Sequence, residues 1–141
     1  MSLIISTEFG ITNTFADAGS QYLSTANVYW TKCKVGNAVY QVQEIAANGV
    51  DGVALKRGGF RSRPIIFLAD YVDSTEYGPL DFFNSDLDDF ENTECQIVTP
   101  NGETYPACEL ISADPDMFTK KTGFGTWMLT ATWIFEQKRL S

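Results

Sequence analysis

The chain has 141 residues, of which 44% are hydrophobic and 20% charged, and its net charge is −8. This acidic balance disfavours non-specific binding to nucleic acid. The chain contains no histidine, which excludes the usual serine and cysteine triads and removes the commonest transition-metal ligand. Length and composition together predict one globular domain, residues 1–141.

The first ten residues, MSLIISTEFG, have neither the basic start nor the apolar run of a signal peptide. No stretch of the sequence reaches the roughly 18 apolar residues that a membrane span needs. Cys33, Cys95 and Cys108 form an odd set without close spacing, which favours reduced thiols. We therefore expect a cytoplasmic protein with no membrane contact. The cysteine spacing and the lack of phosphate-binding glycine motifs predict neither a metal nor a cofactor.

Residues 28–45, VYWTKCKVGNAVYQVQEI, predict an antiparallel hairpin. A two-residue turn at Gly36 and Asn37 places Cys33 opposite Tyr40, on the apolar face. This position favours a buried side chain over a reactive thiol.

Three further stretches follow in chain order. NGVDG at residues 48–52 predicts a loop, and RGGF at residues 57–60 predicts a turn. RPIIFLADYV at residues 63–72 predicts an apolar strand with Pro64 at its start or edge.

An amphipathic helix is predicted next, because Leu80, Phe83, Leu87 and Phe90 recur at helical spacing. Gly78 and Pro79 suit the N-cap and the first helical position. Six acidic residues lie in or beside this helix, and they are Asp81, Asp86, Asp88, Asp89, Glu91 and Glu94. A calcium loop needs a glycine bend among its ligands, and no glycine lies between Gly78 and Gly102. The acids are therefore predicted to form the solvated face of the helix.

A second hairpin is predicted in CQIVTPNGETYPACELI, residues 95–111, and it has two possible registers. A two-residue turn at Asn101 and Gly102 would place Cys95 directly opposite Cys108, within reach of a disulfide. A type I turn that begins at Pro100, with Gly102 left-handed, would shift the register by one residue and point the cysteines to opposite faces. Proline is preferred at the second position of a type I turn, so we expect the second register and no disulfide.

Residues 114–125, DPDMFTKKTGFG, predict a long polar connection suited to subunit contacts. The terminal segment alternates strictly, which predicts one long strand whose apolar row lines the interior of a sheet. This row consists of Trp127, Leu129, Ala131, Trp133 and Phe135. The whole pattern predicts an α+β fold, mainly an antiparallel β-sandwich or a partly closed barrel, with one flanking amphipathic helix.

Four stretches carry a resemblance to a known family. They are GGFRSRPIIFLADY, the helix at residues 80–90, CQIVTPNGETYPACELI, and the closing strand ending in WIFEQKR. Their order resembles the strand, helix, hairpin and long strand of tail-tube and baseplate-type proteins of tailed bacteriophages and related injection machines. The resemblance covers about the last eighty residues, lies in element order and transfers no catalytic residue.

The resemblance implies a structural protein that joins the sheets of neighbouring subunits into a ring or tube with a central channel. It also implies a homo-oligomer, tail or baseplate proteins as partners, and passage from the cytoplasm of a bacterial host into a virion. We expect Phe118, Lys120, Lys121 and Phe124 to contribute to subunit contacts, with the phenylalanines as apolar anchors or as local core.

Two other classes of function remain open on sequence. A small ligand could bind inside an aromatic-rich barrel without catalysis. An enzyme could use carboxylates such as Asp70 and Asp73 for acid–base work, although acids in such positions are usually solvated. We expect no enzyme.

Overall fold

The computed structural model describes residues 2–17, 27–37, 39–45, 54–115, 120–121 and 126–139. These residues form nine strands and one helix. In chain order they are β1 Leu3–Thr7, β2 Thr12–Asp17, β3 Val28–Val35, β4 Val39–Ile45, β5 Ala54–Asp73, α1 Gly78–Phe90, β6 Glu94–Val98, β7 Thr104–Pro115, β8 Lys120–Lys121 and β9 Trp127–Gln137.

Seven of the strands close into a barrel. The order β5-β3-β2-β1-β6-β7-β9 returns to its start because β5 pairs with β9 over residues 63–73. Only the short contact between β2 and β3 is parallel; the other described strand pairs are antiparallel. The prediction of a β-sandwich or a partly closed barrel is therefore confirmed in part: the seven strands form a closed barrel, and a sandwich is not confirmed.

The interior of the barrel is filled by side chains from alternate positions of β5 and β9, as the strict alternation of β9 predicted. Trp133 is fully buried and lies against Phe67, Phe83, Phe90 and Phe135, with ring centroids between 5.2 and 6.3 Å apart. Leu129, Ala131 and Phe135 are also buried, while Trp127 at the strand's start is half-buried.

Helix α1 lies against this aromatic interior through Phe83 and Phe90, two of the four residues that gave the predicted helical spacing. It begins at Gly78, one residue earlier than predicted, with Tyr77 as N-cap and Pro79 within the first turn. Gly78 is required here, because an added Cβ would lie 2.6 Å from the Cβ of Asp73.

The first predicted hairpin is wrong. β3 and β4 do not pair with each other; both pair with β5, one after the other along its length. Gly36 and Asn37 therefore interrupt one long strand instead of reversing it. Accordingly, RGGF at residues 57–60 lies inside β5, where the register with β4 is irregular, and the predicted loop at residues 48–52 lies outside the described residues.

Pro64 lies in the middle of β5, not at its start or edge. Its carbonyl accepts a hydrogen bond from the Gly36 amide at 2.8 Å, and a Cβ on Gly36 would lie 2.5 Å from Pro64 Cγ. The N–H and C=O of one strand residue point to the same side, so the N–H that proline lacks would face the interruption between β3 and β4. A glycine and a proline therefore meet where the ladder is broken.

In the second hairpin the predicted turn is correct, but the predicted orientation of the cysteines is wrong. Gly102 is left-handed at φ 89°, and Gly102 N–H donates to the Thr99 carbonyl at 2.9 Å. A bulge then shifts the register again between Cys95 and Ile97, beside Ala107 at φ 57°. Cys95 and Cys108 consequently lie opposite each other, both buried and both free.

Candidate assembly surface

Four consecutive barrel strands, β3, β5, β9 and β7, form an antiparallel sheet with an unpaired stretch along each outer edge. On one side, β3 pairs with β2 only at Tyr29 and Trp30, so residues 31–35 have no partner there among the described strands. On the other side, β6 pairs with β7 only as far as Glu109, which leaves residues 110–115 similarly unpaired within the described part of the chain. Unpaired edges of this kind are templates for pairing with another chain.

Charge differs between the two edges. One row of cross-strand neighbours runs Lys32, Leu68, Thr132, Asp114, so a lysine begins it and an aspartate ends it. The adjacent row runs Lys34, Ile66, Ile134, Ser112. Lys32, Lys34 and Asp114 are exposed. The β3 edge is therefore basic, the β7 edge carries an acid, and the centre of the sheet between them is apolar.

A two-stranded ribbon extends beyond the barrel. It consists of β4, Val39–Ile45, paired with residues 54–62 of β5, and no other described strand pairs with either part. At about 3.3 Å per residue the ribbon is about 25 Å long. A two-stranded hairpin is only marginally stable alone in water. The ribbon is thus an element that another surface would stabilise.

The predicted interface residues are only partly described. Phe118 and Phe124 lie outside the described residues, and Lys120 and Lys121 form β8, whose backbone pairs with Met128 and Trp127 of β9. The predicted connection 114–125 is therefore shorter than expected, because Asp114 and Pro115 belong to β7 and β8 continues along the same edge of β9.

The helix acids do not all form a solvated face. Asp86 is half-buried and accepts hydrogen bonds from Tyr71 Oη at 2.8 Å and Asn13 Nδ2 at 3.0 Å. Asn13 Nδ2 also donates to Asp89 Oδ2 at 3.1 Å. Asp81, Asp88 and Glu91 are exposed as predicted. The prediction is wrong for Asp86 and Asp89, which connect the helix to β2 and β5.

Burial alters the chemistry of this network. It raises the pKa of Asp86 to about 6, and the nearby Asp89 carboxylate adds to the rise, while the hydrogen bonds from Tyr71 and Asn13 oppose it. Burial, and then the charge of Asp86, raises the pKa of Tyr71, whose hydroxyl therefore remains a donor at neutral pH. The spacing of Asp86 between Phe83 and Phe90 was a signal that this carboxylate lies on the packed side.

The described residues do not converge on a reactive centre. Asp70 accepts a hydrogen bond from Thr130 Oγ1 at 2.8 Å, and Asp73 accepts one from Thr75 Oγ1 at 2.7 Å. Because the two acids lie three positions apart along an extended strand, their side chains are on opposite faces. Burial raises the pKa of the Cys33, Cys95 and Cys108 thiols, which keeps them protonated and unreactive. No three Cys, Asp or Glu side chains in the described ranges group as metal ligands.

Concave sites within the described part of the chain lie at the surface. One of them is an open groove of about 490 Å³ beside Thr7, Glu94, Cys95 and Arg139. The barrel interior is occupied by Trp133, Phe67 and Phe135, each fully buried, so a ligand there would have to displace the core. Of the described helices, the 13-residue α1 falls short of the length and apolar character that a membrane span needs.

No protein-family model matches the chain, and no curated protein matches it. Several solved structures are similar to it, and two of them are described here. One is the tail of an empty GTA particle, from helical refinement with C6 symmetry, at 12% identity and a TM-score of 0.44, covering 97% of this chain and 91% of that one. The other is the sheath-tube complex of an extracellular contractile injection system, PVC, in the extended state, at 13% identity and a TM-score of 0.41, covering 97% and 88%. A tail and an injection system are the kinds of assembly that the sequence resemblance named.

Proposed function

We propose that this chain is a structural subunit of a tail-type particle, of the tube or baseplate kind, and that copies of it join into a ring through the two open edges of the sheet β3-β5-β9-β7. The observation that carries the proposal is the pair of unpaired edges in one otherwise closed barrel. In this role the protein binds other copies of itself and other tail proteins, catalyses no reaction, and moves from the cytoplasm of a bacterial host into the virion.

The strand directions are compatible with such a ring. β3 runs parallel to β9, and β7 runs parallel to β5, because each neighbouring pair in the sheet is antiparallel. The β7 edge of one subunit would therefore meet the β3 edge of the next in antiparallel register, and the sheet would continue across the boundary. Such a contact is head-to-tail, and it closes into a ring when the rotation between subunits divides a full turn.

Charge supports the same pairing. Asp114 at the β7 edge would approach Lys32 and Lys34 at the β3 edge of the neighbour, whereas two β3 edges would bring lysines together. The favourable pairing thus selects one direction around the ring. The apolar side chains of Ile66, Leu68 and Ile134 would then lie in the centre of each subunit's sheet, between the polar residues of its two edges.

The test reverses the charge at each edge and follows the mass by light scattering. Asp114→Lys changes the net charge from −8 to −6, which weakens the general repulsion between copies. We nevertheless expect this variant to abolish the ring, because both edges of the sheet become basic. Glu76→Lys makes the same charge change on the exposed bend after β5 and should leave the ring intact. The triple variant Lys32→Glu, Lys34→Glu, Asp114→Lys should form rings again. A parent that stays monomeric at every concentration would refute the proposal.

A further inference from the structure

Side chains on the two open edges of the sheet alternate between its faces. On β3, Cys33 lies opposite the buried Phe67 and therefore faces the barrel interior. On β7, Ala113 lies opposite the buried Trp133 and faces the interior as well. A sheet that continues from one copy into the next keeps its faces, so interior-facing residues must lie opposite each other. The outer-face neighbours of these two residues are Lys32, Lys34, Ser112 and Asp114.

The backbone of β3 shows which residues can bond to a further strand. Gly36 N–H donates to the Pro64 carbonyl of β5 at 2.8 Å, so the backbone groups of Gly36 point to β5. Along a strand the N–H and C=O of successive residues point to alternate sides, so those of Val35 and Cys33 point to the open edge.

The equivalent positions on β7 follow from its pairing with β9. Lys138 N–H donates to a β7 carbonyl at 2.9 Å, so alternate residues back along β9, as far as Thr132, point their backbone groups to β7. The β7 partner of Thr132 is Asp114, which leaves Ala113 and Pro115 pointing to the open edge. Ala113 can donate and accept there, whereas Pro115 has no N–H and can only accept.

The unpaired stretches of the two edges also match in length. On β3 the stretch is residues 31–35, since β2 occupies the edge at Tyr29 and Trp30. On β7 it is residues 110–115, since β6 pairs only as far as Glu109. Antiparallel pairing of residues 111–115 with residues 31–35 uses the whole β3 stretch and places Ala113 opposite Cys33.

We propose that β7 of one copy pairs with β3 of the next in this register. The inference rests on the ring proposed above and specifies the contact within it. Asp114 then lies directly opposite Lys32 on the outer face, and Ser112 lies opposite Lys34. Opposite charges on directly facing residues stabilise a strand pair. The irregularities of β3 and β7 fall at the two ends of the contact, outside these pairs.

The registers shifted by two residues, which also keep the faces, are less favourable. One of them places Pro115 opposite Cys33, whose carbonyl then faces a residue that has no N–H to donate. The other places Asp114 opposite Trp30, where β2 already occupies the edge of β3. In the proposed register Pro115 instead lies opposite Thr31, where the ladder of β3 is irregular in any case.

The native thiol of Cys33 provides the test. Cys33 is half-buried beside a surface hollow of about 290 Å³, whereas Cys95 and Cys108 are buried. Hydrogen-bonded neighbours in an antiparallel pair have Cα atoms about 5.5 Å apart, within the range of a disulfide. Ala113→Cys, treated with diamide as the acceptor of the two electrons and two protons of each disulfide, should give a ladder of covalent multimers on a non-reducing gel. A reducing agent should reverse it.

Three variants serve as controls. Ser112→Cys puts a thiol of similar size on the outer face and should give no ladder. Ala113→Cys with Cys33→Ala should also give none, which identifies the partner thiol. Pro115→Cys reports the shifted register. A ladder from Pro115→Cys and not from Ala113→Cys, or rings in light scattering without a ladder from Ala113→Cys, would overturn the register while leaving the ring standing. A parent that remains monomeric refutes the ring itself.

A second measurement needs no new cysteine. Asp114→Lys with Lys32→Asp exchanges the charges of the facing pair and should form rings in light scattering. Asp114→Lys with Lys34→Asp has the same net charge but leaves two lysines opposite each other, so it should remain monomeric. Recovery by the second variant, or by both equally, would contradict the register. Circular dichroism of each variant checks that the fold is retained.

Discussion

Asp86 is the residue at which burial and charge oppose each other most directly. Its carboxylate lies between the helix and the barrel, where it accepts hydrogen bonds from Tyr71 and Asn13 but loses much of its contact with water. Burial raises its pKa to about 6, so near neutral pH the folded protein holds a charge at a site that favours the neutral form. This makes the junction between helix and barrel sensitive to pH.

The sign of that sensitivity follows from linkage. The pKa is raised in the folded state, so the contribution to stability is complete below the unfolded value near 4 and is lost as the pH rises through about 6. We expect the free energy of unfolding to fall by about 2 to 3 kcal/mol from this group between pH 4 and pH 7. Asp86→Asn should flatten the profile in urea titrations, whereas Asp88→Asn, at an exposed site, should keep the parent's slope. Equal slopes in Asp86→Asn and the parent would contradict the assignment.

Single residues differ in how far the sequence predicts their place. Trp133 and Phe90 lie in the core, as predicted. Strict alternation in the strand and the regular spacing in the helix each indicate which face is buried. Asp86 was assigned to the solvated face with the other helix acids, because they do not converge on one point and lack the glycine bend of a calcium loop. Its partners Asn13 and Tyr71 lie 73 and 15 residues away in the sequence, so no local pattern could show that it was paired.

At the scale of elements, glycine was the least reliable local signal. Gly36 with Asn37 has the composition of a hairpin turn, yet the chain continues straight through it, since pairing along β5 outweighs the local preference. Gly102, in contrast, is a true turn glycine with positive φ. The bulge at Ala107 had no signal, because alanine rarely adopts positive φ, and it is this bulge that brings Cys95 opposite Cys108.

The start of α1 provides a test of close packing between elements. Gly78 lies against the side chain of Asp73 at the end of β5, and an added Cβ would lie 1.8 Å from Asp73 Oδ2 as well as 2.6 Å from its Cβ. Because the nearer part of that side chain cannot simply rotate away, Gly78→Ala should cost about 1 to 3 kcal/mol of unfolding free energy in urea titrations.

Asn84→Ala is the matched control for this prediction. Asn84 is exposed on the same helix, and alanine has the higher helix propensity, so this change should leave the unfolding free energy equal or slightly higher. Gly78→Ala with the parent's stability would show that the helix start can move away from Asp73.

For the whole molecule, alternation and turn composition predicted antiparallel strands and one flanking helix, but not the closure of the barrel. Closure depends on β5 pairing with β9, strands that are separated in sequence by the helix and a hairpin. The sequence alone also gave only a partial prediction of the surfaces proposed for assembly. Charge counts over the whole chain give −8, whereas the structure places Lys32 and Lys34 at one open edge of the sheet and Asp114 at the other. In the proposed ring, neighbouring copies therefore attract at these edges while they repel overall.

These two electrostatic effects have different ranges, so we expect assembly to pass through an optimum as salt increases. The repulsion between copies of charge −8 acts over the Debye length, which falls from about 30 Å at 0.01 M to about 8 Å at 0.15 M. The sedimenting fraction should therefore rise over this range. At 1 M the length is about 3 Å, and the attraction between Asp114 of one copy and Lys32 and Lys34 of the next weakens as well, so the fraction of protein in rings should fall. Sedimentation velocity across the salt series measures both changes. A ring fraction that increases steadily to 1 M would mean that apolar contacts and backbone pairing, and not charge, join the subunits.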